Sequence, residues 1–140
     1  MGPDSTHSPN IRLILETPLR QFAPWLAMVL LVTWAGYPGV VCATPMAWLI
    51  ALAVGLRIAS QSPSPSRSQR LTEAALAGAF LGLLQGVLFF IILPRLGPIA
   101  EDEQAAALAI SLGMLFVGMP VAAGLSVFTA WLVERRTDKV

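Results

Sequence analysis

Charge is missing from long stretches of this chain, and that absence limits what it can fold into more than any motif does. Between Phe22 and Ile58 the only charged residue is Arg57, from Ala74 to Pro94 there is none, and residues 104–133 again carry none. A domain in water keeps charged side chains on the outer faces of its helices. Uncharged runs of this length therefore point to hydrocarbon as the surrounding medium. The fold expected is an all-α integral membrane protein with four transmembrane helices.

Composition narrows the function classes. With 56% hydrophobic residues, 12% charged residues and a net charge of +1, the chain has no nucleic-acid footprint and implies no acidic partner. The single cysteine, Cys42, excludes an internal disulfide and any multi-cysteine metal or iron–sulfur site built by this chain alone. The single histidine, His7, lies in a polar leader, so no bis-histidine haem pair can form within the spans. Residues Gly2 to Asn10 are polar and turn-rich without Lys or Arg, unlike the basic start of a cleaved signal peptide. The first apolar segment is expected to stay as a membrane anchor.

The spans expected are residues 19–36, 40–59, 71–93 and 104–133, after a polar leader 1–18 and before a basic cytoplasmic tail 134–140. Pro24 falls near the start of the first span, where backbone N–H groups lack partners anyway. Gly36, Tyr37, Pro38 and Gly39 make a turn, and Thr44 with Pro45 reads as an N-cap followed by a first-turn proline. Residues 60–69, SQSPSPSRSQ, read as a solvated Ser/Pro connector. Glu73, in the first turn of the third span, is expected to reach the inner headgroups and oppose Arg70. Glu101, Asp102 and Glu103 precede the fourth span while Arg135, Arg136 and Lys139 follow it, so both ends complement the helix dipole.

Four crossings pair as two antiparallel hairpins. Arg12 and Arg20 precede span one, Arg57, Arg67 and Arg70 lie around the second connection, and Arg135, Arg136 and Lys139 follow span four, leaving only Arg95 on the other side. This bias places both termini in the cytoplasm and the protein in the cell (inner) membrane. Trp25 and Trp131 are expected at the inner membrane level, and Trp34, Tyr37 and Trp48 at the outer one.

Span three carries Ala74, Gly78, Gly82 and Gly86 at four-residue steps, a groove that lets another backbone approach closely in lipid. It is expected either to receive span four or span one of the same chain, or to dock another subunit or copy. Gln85 lies beside the groove, and Ser111 of the antiparallel fourth span is its expected partner. Pro120 removes the N–H that would bond the Phe116 carbonyl and is expected to kink span four. Gly113 and Gly118, with Ala122, Ala123 and Gly124, suit close contact near that kink.

Nothing in the chain assembles a reaction centre: no nucleophile with a base, no phosphate-cradling loop and no carboxylate pair within the spans. The scattered methionines read as packing filler, not copper ligands. A non-catalytic role follows as the expectation: a small accessory or assembly subunit packing against larger helices of a membrane complex, an energy-transducing complex being one candidate. Its partners would be the bilayer and other membrane subunits or copies of itself, with no nucleic acid. It would hold no metal and no cofactor of its own, with room for a lipid, quinone or pigment at a shared surface. The alternative is a small oligomeric transporter or channel.

Overall fold

The structure, a computed structural model, describes residues 9–33, 44–92 and 101–137. All regular structure among these residues is helical. The helices are α1 (Ile11–Thr33), α2 (Thr44–Gln61), α3 (Arg67–Ile92), α4 (Glu101–Phe116) and α5 (Gly118–Thr137). The last two form one helical arm interrupted at Val117, so the chain makes four arms. The turn expected at Gly36 to Gly39, together with His7, Trp34, Tyr37, Cys42, Arg95 and Lys139, lies outside the described residues.

α1 begins eight residues before the apolar segment it was expected to match. Asn10 starts it: its side-chain oxygen accepts the Leu13 N–H at 3.3 Å and its carbonyl accepts the Ile14 N–H at 3.0 Å. Arg12, Glu16 and Arg20 then pair at i,i+4, so charged residues continue the helix instead of ending it. As a result Pro18 and Pro24 are both interior to α1, and Pro24 is not near a helix start. α2 does open at Thr44 with Pro45 in its first turn. Ser66 caps α3, its hydroxyl accepting the Gln69 N–H at 3.2 Å. Arg135 and Arg136 close α5 in its last turn, where cations favour the negative helix end.

Pairwise contacts fix the helix directions. Asn10 meets Glu73 at one end, and the Trp25 and Phe89 rings lie 5.9 Å apart further along, so α1 and α3 run parallel with an offset of about 64 residues. Gln85 reaches Ala47 near the start of α2, and Ser62 just past its end reaches Glu73 near the start of α3, so these two helices are antiparallel. Gly78, Gly82 and Gly86 of α3 face Ala122, Met119 and Leu115 in turn, so the fourth arm also runs antiparallel to α3. The core where α1, α2, α3 and α5 meet is rich in alanine: Ala51, Ala74, Ala77, Ala122 and Ala130 pack with Ile14, Val54, Ile58 and Leu81. Side chains this small hold the helix axes close together.

The interruption expected at Pro120 falls at Val117, three residues earlier. Proline has no N–H to give the Phe116 carbonyl, and it sits in the first turn of α5, where none is needed. Hydrogen bonds from Val117 N–H to the Gly113 carbonyl and from Val121 N–H to the Val117 carbonyl keep both flanks helical.

Candidate functional site

The glycine groove of α3 is filled from within the chain. A Cβ built on Gly78 would stand 2.6 Å from the Ala122 carbonyl oxygen, one on Gly82 would stand 2.6 Å from the Met119 Cα, and one on Gly86 would stand 2.8 Å from the Leu115 Cα. Ala74, at the head of the series, is fully buried. Of the two occupants expected, the one from the same chain is found, supplied by α4 and α5.

A second close approach lies on another series of small residues at four-residue steps, Ala47, Ala51, Gly55 and Ala59 of α2. A Cβ on Gly55 of α2 would overlap the Ser126 carbonyl oxygen, and the Ser126 hydroxyl donates to the Ala51 carbonyl at 2.8 Å. Ser126, isolated in an apolar run, is thus the hydroxyl that clamps two helices. Gln85 is buried as expected, but its amide nitrogen donates to the Ala47 carbonyl of α2 at a long 3.4 Å. The Ser111 side chain, its expected partner, lies outside the described residues. Close contact near the break is found at Gly118, whose carbonyl oxygen would stand 2.9 Å from a Cβ on Gly82, and at Ala122 and Ala123, which lie against Gly78. A Cβ added on Gly113, Gly118 or Gly124 would itself meet nothing within 4 Å among the described residues, so Gly113 and Gly124 are not the close contacts expected of them.

One end of the bundle is held by a polar network larger than the sequence suggests. Glu73 is fully buried within the bundle. Its carboxylate accepts from the Asn10 backbone N–H at 3.1 Å, from the Ser62 hydroxyl at 2.5 Å and from the Ser64 hydroxyl at 2.8 Å. Arg70 turns away from it in hydrogen bonding, donating to Glu134 at 2.7 Å and to the Ser64 carbonyl at 2.7 Å. The other Glu134 oxygen lies 3.0 Å from Arg67 Nε in an ion pair. The serine connector is therefore tied down at Ser62 and Ser64 and is not simply solvated. A carboxylate with three donors has most of its lone pairs satisfied, which makes burial tolerable.

Trp25 and Trp131 lie in different surroundings. Trp25 is buried between Phe22 and Phe89, level with the end of α3 away from Glu73, and its indole N–H has no acceptor among the described residues. Trp131 stays near the polar end, with the Arg135 guanidinium 4.3 Å above its ring. Among the described residues no group of three or more His, Cys, Asp or Glu could hold a metal ion. Neither a protein-family model, nor a curated protein, nor a solved structure matches the chain.

Proposed function

We infer that the chain is an integral membrane protein whose four arms cross as two antiparallel hairpins with both ends cytoplasmic. We further infer that it acts without catalysis, as a small accessory or assembly subunit beside larger helices of a membrane complex. The observation that carries this reading is the outward surface. Leu31 on α1, Leu49 and Leu56 on α2, Leu83 and Phe90 on α3, and Phe116 and Phe128 on the fourth arm all stand exposed. Soluble monomers rarely leave apolar surface open on every side. Hydrocarbon would solvate it.

Charge placement supports the same reading. Arg67, Arg70, Glu73, Glu134, Arg135 and Arg136 gather at the end shared by the start of α1, the α2–α3 connector and the close of α5, and Arg57 lies about a turn away. Residues Arg67–Ile91 are long and apolar enough to cross a membrane, the one such helix among the described residues. α1 has the length, at 23 residues, but carries Arg12, Glu16 and Arg20. α2 is a shorter apolar helix, and the fourth arm is divided at Val117. Since the groove of α3 is occupied by the chain's own helices, a partner would use another face, where a lipid, quinone or pigment could also be shared.

Alkaline carbonate should leave the protein in the membrane pellet and a mild detergent should release it; release by carbonate alone would refute the membrane assignment. Detergent-solubilised protein should then co-purify with much larger membrane subunits. Recovery as a pure homo-oligomer that carries ion or solute flux in vesicles would replace the accessory reading with that of a transporter or channel.

A further inference from the structure

We propose that the outward face of α1 centred on Arg12, Glu16 and Arg20 docks a transmembrane helix of another subunit that carries a carboxylate at mid-depth. The proposal rests on the membrane reading and names the chemistry of the partner. Its basis is depth. With α1 beside α3 at an offset of about 64 residues, Arg12 lies level with Leu76, Glu16 with Phe80 and Arg20 with Leu84. Leu76 and the neighbouring Leu83 are exposed apolar residues on α3. A bilayer solvating those leucines would surround the three charges at the same height.

The charges point away from the bundle. Ile14, Thr17, Pro18, Trp25 and Val29 form the buried side of α1, and the row of Arg12, Glu16 and Arg20 lies opposite it. The side chains of Arg12, Glu16 and Arg20 are 88%, 39% and 67% exposed, and among the described residues the only ion pairs they make are with one another. Lipid headgroups cannot serve Arg20. It sits ten residues beyond Asn10, about 15 Å by helical rise, further than an arginine side chain extends. Ionisable residues at such depth face protein or a water-filled cavity, and they pair.

Two arginines against one glutamate leave the row with a surplus positive charge, which a carboxylate on the neighbouring helix would complement. A second copy of this chain would bring the same surplus and worsen the imbalance. Ala23 and Ala27 continue the row and are exposed, so a neighbouring backbone can approach closely beyond the charges. Ile11, Leu15 and Leu19 flank it on one side and are exposed as well.

The test uses the full chain, with a donor dye at its amino terminus, in phosphatidylcholine vesicles. The probes are acceptor-labelled synthetic leucine/alanine transmembrane helices bearing one central glutamate, one central glutamine, or neither. Energy transfer to the glutamate helix should need about tenfold less acceptor than transfer to the plain helix. Arg20→Leu should remove that preference and Arg20→Lys should keep it. A chain that resists insertion, shown by release in alkaline carbonate, overturns the membrane reading and this proposal together. A chain that inserts but treats all three helices alike overturns the docking proposal alone. Transfer between donor- and acceptor-labelled copies of the chain that Arg20→Leu abolishes would give this face to a second copy and likewise overturn the acidic partner.

Discussion

The Glu134 carboxylate accepts a hydrogen bond from Arg70 Nε at 2.7 Å across 64 positions of sequence, joining the end of α5 to the start of α3. Arg70 is about a quarter exposed and Arg67 about half, so solvent screens part of this interaction. Glu134→Ala should destabilise the bundle by about 1–2 kcal/mol, seen as a lower melting temperature in detergent. The double variant with Arg70→Ala should lose less than the sum of the two single changes, because the first change already removes the shared contact. Strict additivity would show that the pair contributes nothing.

The glycines sort into two groups. Gly55→Ala and Gly82→Ala would each drive a methyl group into backbone atoms of α5, so both should cost more than about 3 kcal/mol or prevent folding, as overpacking of a close helix contact does. Gly124→Ala meets open space and should be neutral or stabilising by up to about 1 kcal/mol through helix propensity. Thermal unfolding of the three variants in one detergent checks the contrast. Equal effects would contradict the helix register described above.

Ser126 and Gln85 both donate to carbonyls of α2, at 2.8 Å and 3.4 Å. Ser126→Ala should lower stability by about 1 kcal/mol, while Gln85→Leu should cost less because its hydrogen bond is long. The order of the two melting temperatures is the measurement, and a larger loss at Gln85 would reverse the assignment of the principal clamp.

Glu73→Gln keeps the shape of the side chain but replaces one acceptor oxygen with a donor, facing Asn10, Ser62 and Ser64, which all donate. A loss of about 1–3 kcal/mol is expected from the mismatched buried groups. The connector should also loosen. Trypsin should cleave after Arg67 faster in the variant than in the parent protein, and unchanged cleavage would mean that Glu73 does not hold the connector.

Trp25→Phe should be nearly neutral, because the buried indole N–H gives up no hydrogen bond among the described residues. Trp25→Ala should cost about 3–5 kcal/mol through the cavity left against Phe22 and Phe89. Detergent melting curves separate the two.

Helical character and the small-residue face of α3 were legible in the sequence, because each is a local pattern: uncharged runs and glycines four apart. The start of α1 was not. Placing charges outside hydrocarbon sets a boundary near residue 19, whereas Asn10 caps the helix and the i,i+4 pairs of Arg12, Glu16 and Arg20 carry it forward. Ser126, Gly55 and Glu134 escaped notice for a different reason. Gly55 stands in a four-residue series with Ala47, Ala51 and Ala59, and Ser126 in one with Ala122 and Ala130, so a small-residue signal was present, but which of these residues meet depends on the register of one helix against another. Gln85 shows both sides: an amide in an apolar run announced a partner, but only the tertiary arrangement chose Ala47.

The link between Asn10 and Glu73 also bears on how such a chain is made. Asn10 is polymerised 63 positions before its acceptor. Until then α1 has only α2 beside it, packed through Ile14 against Ala51, Val54 and Ile58, and its three charged side chains disfavour entry into an apolar phase. The amino-terminal helix thus receives its last polar tie only once the third helix follows, so its final seating against the bundle is completed late in synthesis.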